Sequence, residues 1–421
     1  MKVSFESGFG RLTLLFALTL GGTGWPSENL GVSDTAVRMG QSAAFSGASA
    51  SLGIELWRGA HAYFSEVNEQ GGIHGRKIEV ITIDDAYDGD RALANTIRLA
   101  SQENIFGLFG YVGTPTIVRA LPALMKFSGA GLFLFSNFTG AQPQRELPYL
   151  PYVFNVRSSY RQETAAQIEI FTGRLGFTKI GLFIQADAYG RSGADGTSRA
   201  LARNGLKPVV EVTYRRGTKF SDPLVEQARI LIASGAEAVV SIGSYEACAA
   251  LVRDARDAGF KGPIGNVSFV GADNMLALIN ALERKTGKSY SDKLLNTQVV
   301  PPWNDTTYPL VVDYQKLMSK FGPTAPAGFD AGGLDSKRLG FGSLEGFLNA
   351  RLLVEILKRI PRNRLTRSEF TRTANHLSTL DVGLRANLAF DELKHQASSA
   401  VYFTTASQGQ FVEVKEWGRF R

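Results

Sequence analysis

Residues 37–85 contain two apolar segments separated by a long amphipathic one, and no other part of the chain constrains the fold as much. Val37–Ala43 is a short apolar strand, and the Phe-Ser-Gly sequence that begins at Phe45 predicts a sharp turn after it. Apolar residues then recur with the period of a helix at Trp57, Ala60, Tyr63, Phe64 and Val67. Two glycines end this helix, because glycine adopts left-handed backbone angles without steric cost. A second apolar strand follows and ends at two aspartates, so the stretch predicts a strand–helix–strand unit.

Three segments of this stretch resemble a known protein family. They are FSG at 45–47, RGAHAYFSEVNEQGGIHGRKIEV at 58–80 and IDD at 83–85. In this order and spacing they resemble the leucine/isoleucine/valine-binding proteins, which are type I periplasmic solute-binding proteins of ABC importers. The resemblance extends over residues 36–320 and more loosely over the remainder. It implies two lobes joined by a hinge that the chain crosses three times.

Strand and helix patterns alternate along the rest of the chain. Further strands are predicted at Ile105–Phe109, Leu132–Phe135, Lys179–Ile184, Pro208–Tyr214, Ala238–Ile242, Pro263–Val267 and Thr297–Val300. Short apolar strands that alternate with helices favour an α/β fold with doubly wound parallel sheets. Together with the resemblance, this predicts two Rossmann-like lobes. Lobe one is expected to comprise residues 36–156 plus 301–382, and lobe two residues 157–300 plus 383–421.

Two segments near the C-terminus have patterns of their own. Residues 322–338 are rich in glycine and proline, which predicts a loop longer than the family's usual one. Residues 389–404 are predicted to form the closing β-hairpin of the chain.

Composition excludes several classes of protein. Hydrophobic residues make up 44% of the chain and charged residues 20%, as in ordinary folded domains. The net charge is +7, but basic and acidic residues are interleaved and no basic run stands beside exposed aromatic residues, so no nucleic-acid partner is expected. Cys248 is the single cysteine. Its apolar, helical surroundings predict a buried side chain.

The first two dozen residues have the order of a secretory signal. Lys2 and Arg11 precede the apolar run Leu12–Leu20, and small and turn-forming residues follow it. This run is about half the length that a bilayer-spanning helix needs, so a membrane anchor is the weaker interpretation. We expect residues 1–24 to be a signal peptide and the protein to be periplasmic.

The sequence lacks the motifs of common catalytic and metal sites. Its four histidines are His61, His74, His376 and His395, and none has the spacing of metal ligands. The patterns H-E-x-x-H, C-x-x-C and G-x-S-x-G are absent. Asp84 and Asp85 follow a predicted strand, where a cap or turn role is favoured over a catalytic one. These observations favour a binding protein without a cofactor or metal over a secreted enzyme.

Candidate ligand contacts of lobe one follow three predicted strands. Ligands of open α/β sheets bind beyond the carboxyl ends of strands, where loops and helix N-termini converge. The candidates at these ends are Ser46, Thr114, Ser136, Phe138 and Thr139. In the family that the chain resembles, the positions of Thr114 and the Phe138-Thr139 pair hold the ligand carboxylate. An ordinary helix cap is the alternative for each single residue, and their joint placement favours a site.

Two tyrosines are predicted to close the cleft from lobe two. Tyr189 lies in a Tyr-Gly turn and Tyr245 in a Gly-Ser-Tyr turn. These turns resemble those whose aromatic residues face the ligand in the family. A lid over the core of the lobe is the alternative for both tyrosines.

The chain departs from the amino-acid-specific members of the family at two positions. Residues 265–269 and 157–161 contain no carboxylate where those members pair the ligand ammonium, and an unpaired buried charge is costly. Arg157 and Arg161 instead offer donors for a carboxylate, or form surface salt bridges. We therefore expect a small organic acid, an aromatic carboxylate or an amide rather than a standard α-amino acid. Should an amino acid bind, the nearest candidate acids are Glu246 and Asp273.

The resemblance and the missing catalytic motifs predict the solute-binding component of an ABC-type importer. We expect a monomer that binds a small amino-acid-like or carboxylate solute between two lobes and delivers it to an inner-membrane permease. A periplasmic ligand-sensing subunit for a membrane receptor kinase is the alternative, because both functions use the same fold.

Overall fold

The computed structural model describes residues 30–330 and 338–421, which form two mostly parallel β-sheets with packed helices. The predicted signal peptide, residues 1–24, lies outside the described residues, as do residues 331–337 of the predicted loop. Within the described ranges, no helix has the length and apolar character needed to cross a membrane.

The first sheet has five parallel strands in the order β2-β1-β3-β4-β5. Its strands are β1 Ala36–Ala43, β2 Lys77–Asp84, β3 Gly107–Val112, β4 Leu134–Phe138 and β5 Val153–Phe154. Every residue of β3 and β4 is buried, as expected for central strands of a parallel sheet that is covered on both faces.

The second sheet has seven strands in the order β12-β11-β10-β9-β8-β6-β7. Its strands are β6 Ile180–Gln185, β7 Val210–Tyr214, β8 Ala238–Ile242, β9 Ile264–Asn266, β10 Leu294–Gln298, β11 Tyr402–Ser407 and β12 Gln410–Glu413. Strands β6 to β10 pair in parallel, and β11 and β12 complete the edge in antiparallel fashion. The predicted α/β fold with two doubly wound sheets is confirmed.

Eleven α-helices of the described residues connect and cover these strands. They are α1 Ala50–Glu69, α2 Gly89–Gln102, α3 Thr114–Phe127, α4 Tyr160–Ile168, α5 Ala188–Arg203, α6 Val225–Ala233, α7 Tyr245–Asp257, α8 Ala272–Thr286, α9 Pro309–Phe321, α10 Phe341–Lys358 and α11 Arg367–Asn375. Helices α9 and α10 follow the second sheet along the chain but pack against α1, and α11 packs against α10. We call the first sheet with α1–α3 and α9–α11 lobe one, and the second sheet with α4–α8 lobe two.

The chain passes between the lobes in three connections. They lie between β5 and α4, between β10 and α9, and between α11 and β11. The predicted boundaries after residues 156, 300 and 382 fall in these connections, and we keep them as proposed lobe boundaries.

The last strands differ from the sequence prediction. The strand expected at Thr297–Val300 is observed as Leu294–Gln298, because the fully buried Leu294 and Leu295 begin it. The hairpin expected at 389–404 is wrong. The observed hairpin joins β11 and β12 through Gln408 and Gly409, whose φ angles are 49° and 76°. Two successive positive φ angles match the turn that suits the twist of a two-residue hairpin.

Cys248 is buried within α7, as predicted. Burial raises the pKa of its thiol to about 12, so the side chain behaves as a small apolar residue at neutral pH.

Helices α1 and α10 approach each other through glycines. A Cβ atom added to Gly59 would lie 1.7 Å from the backbone oxygen of Ser343, and one added to Gly346 would lie 1.9 Å from that of Leu56. Both distances are far below van der Waals contact, so the helices lie closer together than alanine allows. This contact sets the position of the first turn of α10 in the cleft.

We expect Gly59→Ala to lower the free energy of unfolding by about 1–3 kcal/mol, because the helices must separate to admit the methyl group. The loss should appear although alanine is the better helix former. Urea unfolding measures the change, and Gly418→Ala is the matched control because a Cβ atom there meets nothing within 4 Å. Equal midpoints for the two variants would contradict the close approach of α1 and α10.

Candidate functional site

Thr114 and Thr139 meet at the carboxyl edge of the first sheet. Strands β3 and β4 are parallel neighbours, so the residues after them lie side by side. The two Oγ1 atoms are 2.6 Å apart, and Thr139 also donates a hydrogen bond of 3.3 Å to the Tyr160 hydroxyl. Thr114 begins α3, whose N-terminal N–H groups favour an anion. The structure thus brings together the two hydroxyls that the sequence assigned to a carboxylate.

Ser46 is exposed and is hydrogen-bonded to Asp84. Its hydroxyl donates to one carboxylate oxygen at 2.5 Å, and its backbone N–H donates to the other at 3.1 Å. The N–H groups of Phe45 and Ala86 donate to the same carboxylate. Burial opposes the ionisation of Asp84, but these hydrogen bonds together outweigh it and hold its pKa below the usual value. The turn role predicted for Asp84 is confirmed, and it engages the hydroxyl of Ser46.

Ser136 occupies an unusual backbone position within β4. Its φ angle is 58°, which is uncommon for a residue other than glycine. Its hydroxyl is buried and has no hydrogen-bond partner among the described residues. Among the predicted contacts of lobe one, Ser136 is therefore a hydroxyl still available to another group.

Phe269 occupies the part of the cleft between Phe138 and Tyr189, where the sequence predicts a ligand. Its ring lies 5.3 Å from that of Phe138 and 4.8 Å from that of Tyr189, and it stacks with Tyr87 at 6.2 Å. Tyr189 is fully buried and donates a hydrogen bond of 3.3 Å to the carbonyl of Gly243. Aromatic side chains from both lobes therefore close this part of the cleft.

Tyr245 extends from α7 of lobe two to the start of α1 in lobe one. Its hydroxyl donates a hydrogen bond of 3.1 Å to the carbonyl of Ala48 and accepts one of 3.2 Å from the hydroxyl of Ser51. This tyrosine of lobe two therefore closes the rim of the cleft by two hydrogen bonds with lobe one.

Arg157 lies at the centre of a buried ionic cluster. Its side chain is 1% exposed and contacts the carboxylates of Glu163 in α4 and Glu345 in α10, each at 3.5 Å. It donates to the hydroxyl of Ser268. Its guanidinium carbon also lies 4.9 Å from the ring centre of Phe138, within the range of a cation–π interaction. One arginine in the first connection thus contacts elements of both lobes.

Glu163 supplies a carboxylate just beyond the segment in which the sequence shows none. Ser159 caps α4, and Glu163 lies in the first turn of this helix. Its carboxylate accepts hydrogen bonds from the N–H and the hydroxyl of Ser268 at 2.8 and 2.9 Å, and from the hydroxyl of Thr297 at 2.7 Å. This side of the cleft therefore contains an acid, contrary to the expectation from residues 157–161. The carboxylate is already hydrogen-bonded to Ser268 and Thr297.

Asp273 is a third acid that the structure places in the cleft. It lies at the start of α8 in lobe two and accepts hydrogen bonds from Trp303 Nε1 at 3.0 Å and from the N–H of Phe341 at 2.8 Å. Phe341 is the first residue of α10, so this contact joins lobe two to a helix N-terminus of lobe one. Burial raises the pKa of Asp273 to about 6, although these two hydrogen bonds oppose the shift.

The remaining charged candidates form salt bridges away from the buried cluster. Arg161 contacts Glu146 and Asp195 at 3.2 and 2.9 Å, and all three side chains are partly exposed. Glu246 contacts Lys219 at 3.3 Å. For Arg161 the alternative of a surface salt bridge is therefore observed.

Comparisons with known proteins agree on one family. A family model described as "Periplasmic binding protein" matches residues 36–410. The chain is 30% identical over 223 residues to an amino acid binding protein of Pseudomonas aeruginosa, and the match covers 53% of the chain but only 58% of that relative. It is 25% identical over 334 residues to Leu/Ile/Val-binding protein homolog 7 of Brucella abortus, with 77% of each chain covered.

A solved structure supports the same relationship. The crystal structure of a possible leucine/isoleucine/valine-binding protein from Rhodopirellula baltica is similar with a TM-score of 0.80 and 30% sequence identity. The similarity covers 92% of this chain and 98% of that one.

We expect Glu345→Gln to reduce the loss of stability between about pH 4.5 and 7. Burial raises the pKa of Glu345 from 4.5 to about 7, although Arg157 opposes the shift. The folded protein therefore keeps this proton to a higher pH than the unfolded chain. The resulting stabilisation is fully present below the unfolded pKa and is lost as the pH rises through the folded pKa. Glutamine has nearly the shape of the protonated acid and does not titrate.

Urea unfolding at a series of pH values measures this effect, which for one proton amounts to at most about 1.4 kcal/mol per pH unit. Burial also raises the pKa values of Asp273 and Asp85. These two groups should therefore keep part of the pH dependence of the free energy of unfolding in both the wild type and the variant. Glu226→Gln is the control, because that side chain is 73% exposed. If the free energy of unfolding changes with pH equally in Glu345→Gln and in the wild type, Glu345 is not a titrating group in this range.

Proposed function

Because the chain belongs to the periplasmic binding protein family, as its sequence predicted, we propose that it is the solute-binding component of an ABC-type importer. It binds a small amino-acid-like or carboxylate solute between its lobes and delivers the solute to a permease in the inner membrane. It has no catalytic role, in keeping with a family of solute-binding proteins. Residues 1–24 direct its export to the periplasm, which N-terminal sequencing of the exported monomer tests.

The observation that carries this proposal is the convergence of buried polar and aromatic residues of both lobes in one cleft. Arg157 contacts Glu163 and Glu345, while Phe269 packs on Phe138. A solute that contacts both walls stabilises the closed state relative to the open one, whereas a solute with equal affinity for both states shifts nothing. Lobe closure thereby reports the loaded state to the permease.

The carboxylate of the solute binds at the paired hydroxyls of Thr114 and Thr139. These groups are buried beside the N-terminus of α3, where N–H groups and the helix dipole favour an anion. The ring of Phe269 must move aside when the lobes open for this carboxylate to enter. Tyr189 then forms the facing wall from lobe two.

We expect Thr114→Val to lower the affinity for the natural solute roughly ten- to a hundredfold, because a hydrogen bond to a charged group contributes about 1.5–3 kcal/mol. Mass spectrometry of the small molecule that co-purifies with the native protein identifies the solute, and calorimetric titration measures its affinity. Thr197→Val is the matched control, because Thr197 is a buried threonine of α5 whose hydroxyl donates to the carbonyl of Gly193. If both variants bind like wild type, the carboxylate site lies elsewhere.

We expect leucine, isoleucine and valine to bind weakly or not at all, and carboxylates without an α-amino group to bind better. An α-ammonium lies beside the carboxylate; two of the cleft acids, Glu163 and Asp273, already accept hydrogen bonds from the protein at both oxygens, and Glu345 pairs with Arg157. Thermal unfolding tests this, because a ligand at a hundred times its dissociation constant stabilises by about 2.7 kcal/mol. A raised midpoint with leucine but not with simple carboxylic acids would contradict the expectation.

A further inference from the structure

A small cavity lies between the lobes, and Phe138 lines it while Thr114 and Thr139 do not. Its volume is about 20 Å³, enough for one water molecule or a group of similar size. Helices α1 and α10 line it from lobe one, and the start of α8 and the end of β10 line it from lobe two. The charged residues that line it are Glu55, Asp273, Arg338 and Glu345. Carboxylates thus outnumber cations in its wall.

Besides Glu345, whose carboxylate has the ion pair with Arg157 but no hydrogen bond, two side chains in this wall have buried polar atoms without a hydrogen-bond partner among the described residues. Glu55 is 5% exposed; its Oε1 accepts a hydrogen bond of 3.0 Å from Arg58, but its Oε2 accepts none. Gln298 is 1% exposed, and its Nε2 has no hydrogen-bond partner. Buried polar atoms are nearly always paired in folded proteins, so these two atoms indicate a place for a further group.

The acids of the two lobes face each other at this cavity. A Cβ atom built on Gly340 would lie 2.9 Å from Asp273 Oδ2 and 3.6 Å from Glu55 Oε2. Glu55 belongs to lobe one and Asp273 to lobe two, so closure brings two carboxylates towards the same glycine. Like charges in a buried site oppose closure unless a cation or a proton lies between them.

The cations nearest this cavity already have partners of their own. Arg58 bonds to Glu55 and to the carbonyl of Pro323, Arg338 donates to the side chain of Asn274, and Arg157 pairs with Glu163 and Glu345. A metal ion is not indicated, because the described residues contain no group of three or more acidic, histidine or cysteine side chains arranged to hold one. A cation supplied by the solute offsets the repulsion between the carboxylates of Glu55 and Asp273.

We propose that the cavity receives a primary ammonium group of the solute, at a distance from its carboxylate. The inference rests on the proposed function. An ammonium group has the size of a water molecule and so matches the cavity, and it donates to Glu55 Oε2 and to the carboxylate of Glu345. A rotation of the Gln298 side-chain amide by half a turn exchanges its oxygen and nitrogen without changing its shape, and the oxygen then accepts a hydrogen bond from the ammonium.

The position of Phe138 defines the class of solute. Phe138 lines the cavity and immediately precedes Thr139 in the chain, whereas Thr139 itself does not line the cavity, so the ammonium site and the carboxylate site are neighbouring but separate, with Phe138 next to both. A solute that fills both sites extends past the ring of Phe138. An ω-amino carboxylate has this form, whereas an α-amino acid with an apolar side chain has both charged groups on one carbon.

Matched pairs of small solutes test the proposal on the unaltered protein. The amino members are β-alanine, 4-aminobutyrate, 5-aminovalerate and 6-aminohexanoate. Their partners are the unsubstituted acids and the ω-hydroxy acids of the same chain length. We expect at least one amino member to raise the thermal midpoint and to bind at least roughly tenfold more tightly than both partners.

Equal binding of the unsubstituted or hydroxy acid would overturn the ammonium site while leaving the proposed solute-binding function intact. Binding of no member would overturn the solute class, whereas failure to find any co-purifying or bound solute bears on the proposed function itself. A hydroxy acid that matches the amino member would mean that the cavity accepts a neutral hydrogen-bonding group only.

The variant Glu55→Gln tests the assigned residue. We expect the affinity for the best amino member to fall at least roughly tenfold, while that for its unsubstituted partner changes less than about threefold. Glu69→Gln is the control, because it lies on the same helix, is 57% exposed and pairs with Lys320. An equal loss for both solutes would assign Glu55 a structural role and overturn its contact with the ammonium. If the variant does not fold, the solute pairs still test the ammonium site with the wild-type protein.

Discussion

Arg157 is buried between a carboxylate of each lobe, and the closed arrangement of the molecule depends on this contact. A guanidinium without access to water is stable only with charged partners close by. Glu163 and Glu345 provide them from helices that belong to different lobes. Separation of the lobes removes one partner and exposes the cluster to water, which then solvates the separated charges. The cluster therefore favours one relative position of the lobes when they close.

The other contacts across the cleft follow from that position. Asp273 bonds to the N-terminus of α10, Tyr245 to the start of α1, and Phe269 packs on Phe138. Together they reduce the space beside Glu55, between the lobes, to a cavity of about 20 Å³. On the proposed function, a solute larger than a water molecule enters only when the lobes move apart. Its own contacts with both walls then decide how far they close again.

A large part of the fold was predictable because its signals are local. Helical periodicity and glycine stops in residues 37–85 define one unit, and the same alternation recurs along the chain. The meeting of Thr114 and Thr139 was also predictable, since parallel neighbouring strands end at one edge of a sheet. The hairpin was misplaced, because the turn at Gln408 and Gly409 lacks the asparagine or aspartate that marks such turns most strongly. An aromatic residue three positions after the end of β9 was the only local sign of Phe269.

The sequence by itself determined the order of the strands and helices, the doubly wound fold and the side of the sheets where polar residues gather, because each depends on periods of a few residues. Tertiary structure alone decided which charges meet in the cleft. Glu55, Glu163 and Glu345 are far apart along the chain, and no local pattern pairs them with Arg157 or with a cavity. Their positions follow from the glycine contact of α1 with α10 and from the closure of two separate lobes. Such contacts depend on how whole elements pack, and this is why Glu55, Glu163 and Glu345 could be recognised as acids of the cleft only in the folded molecule.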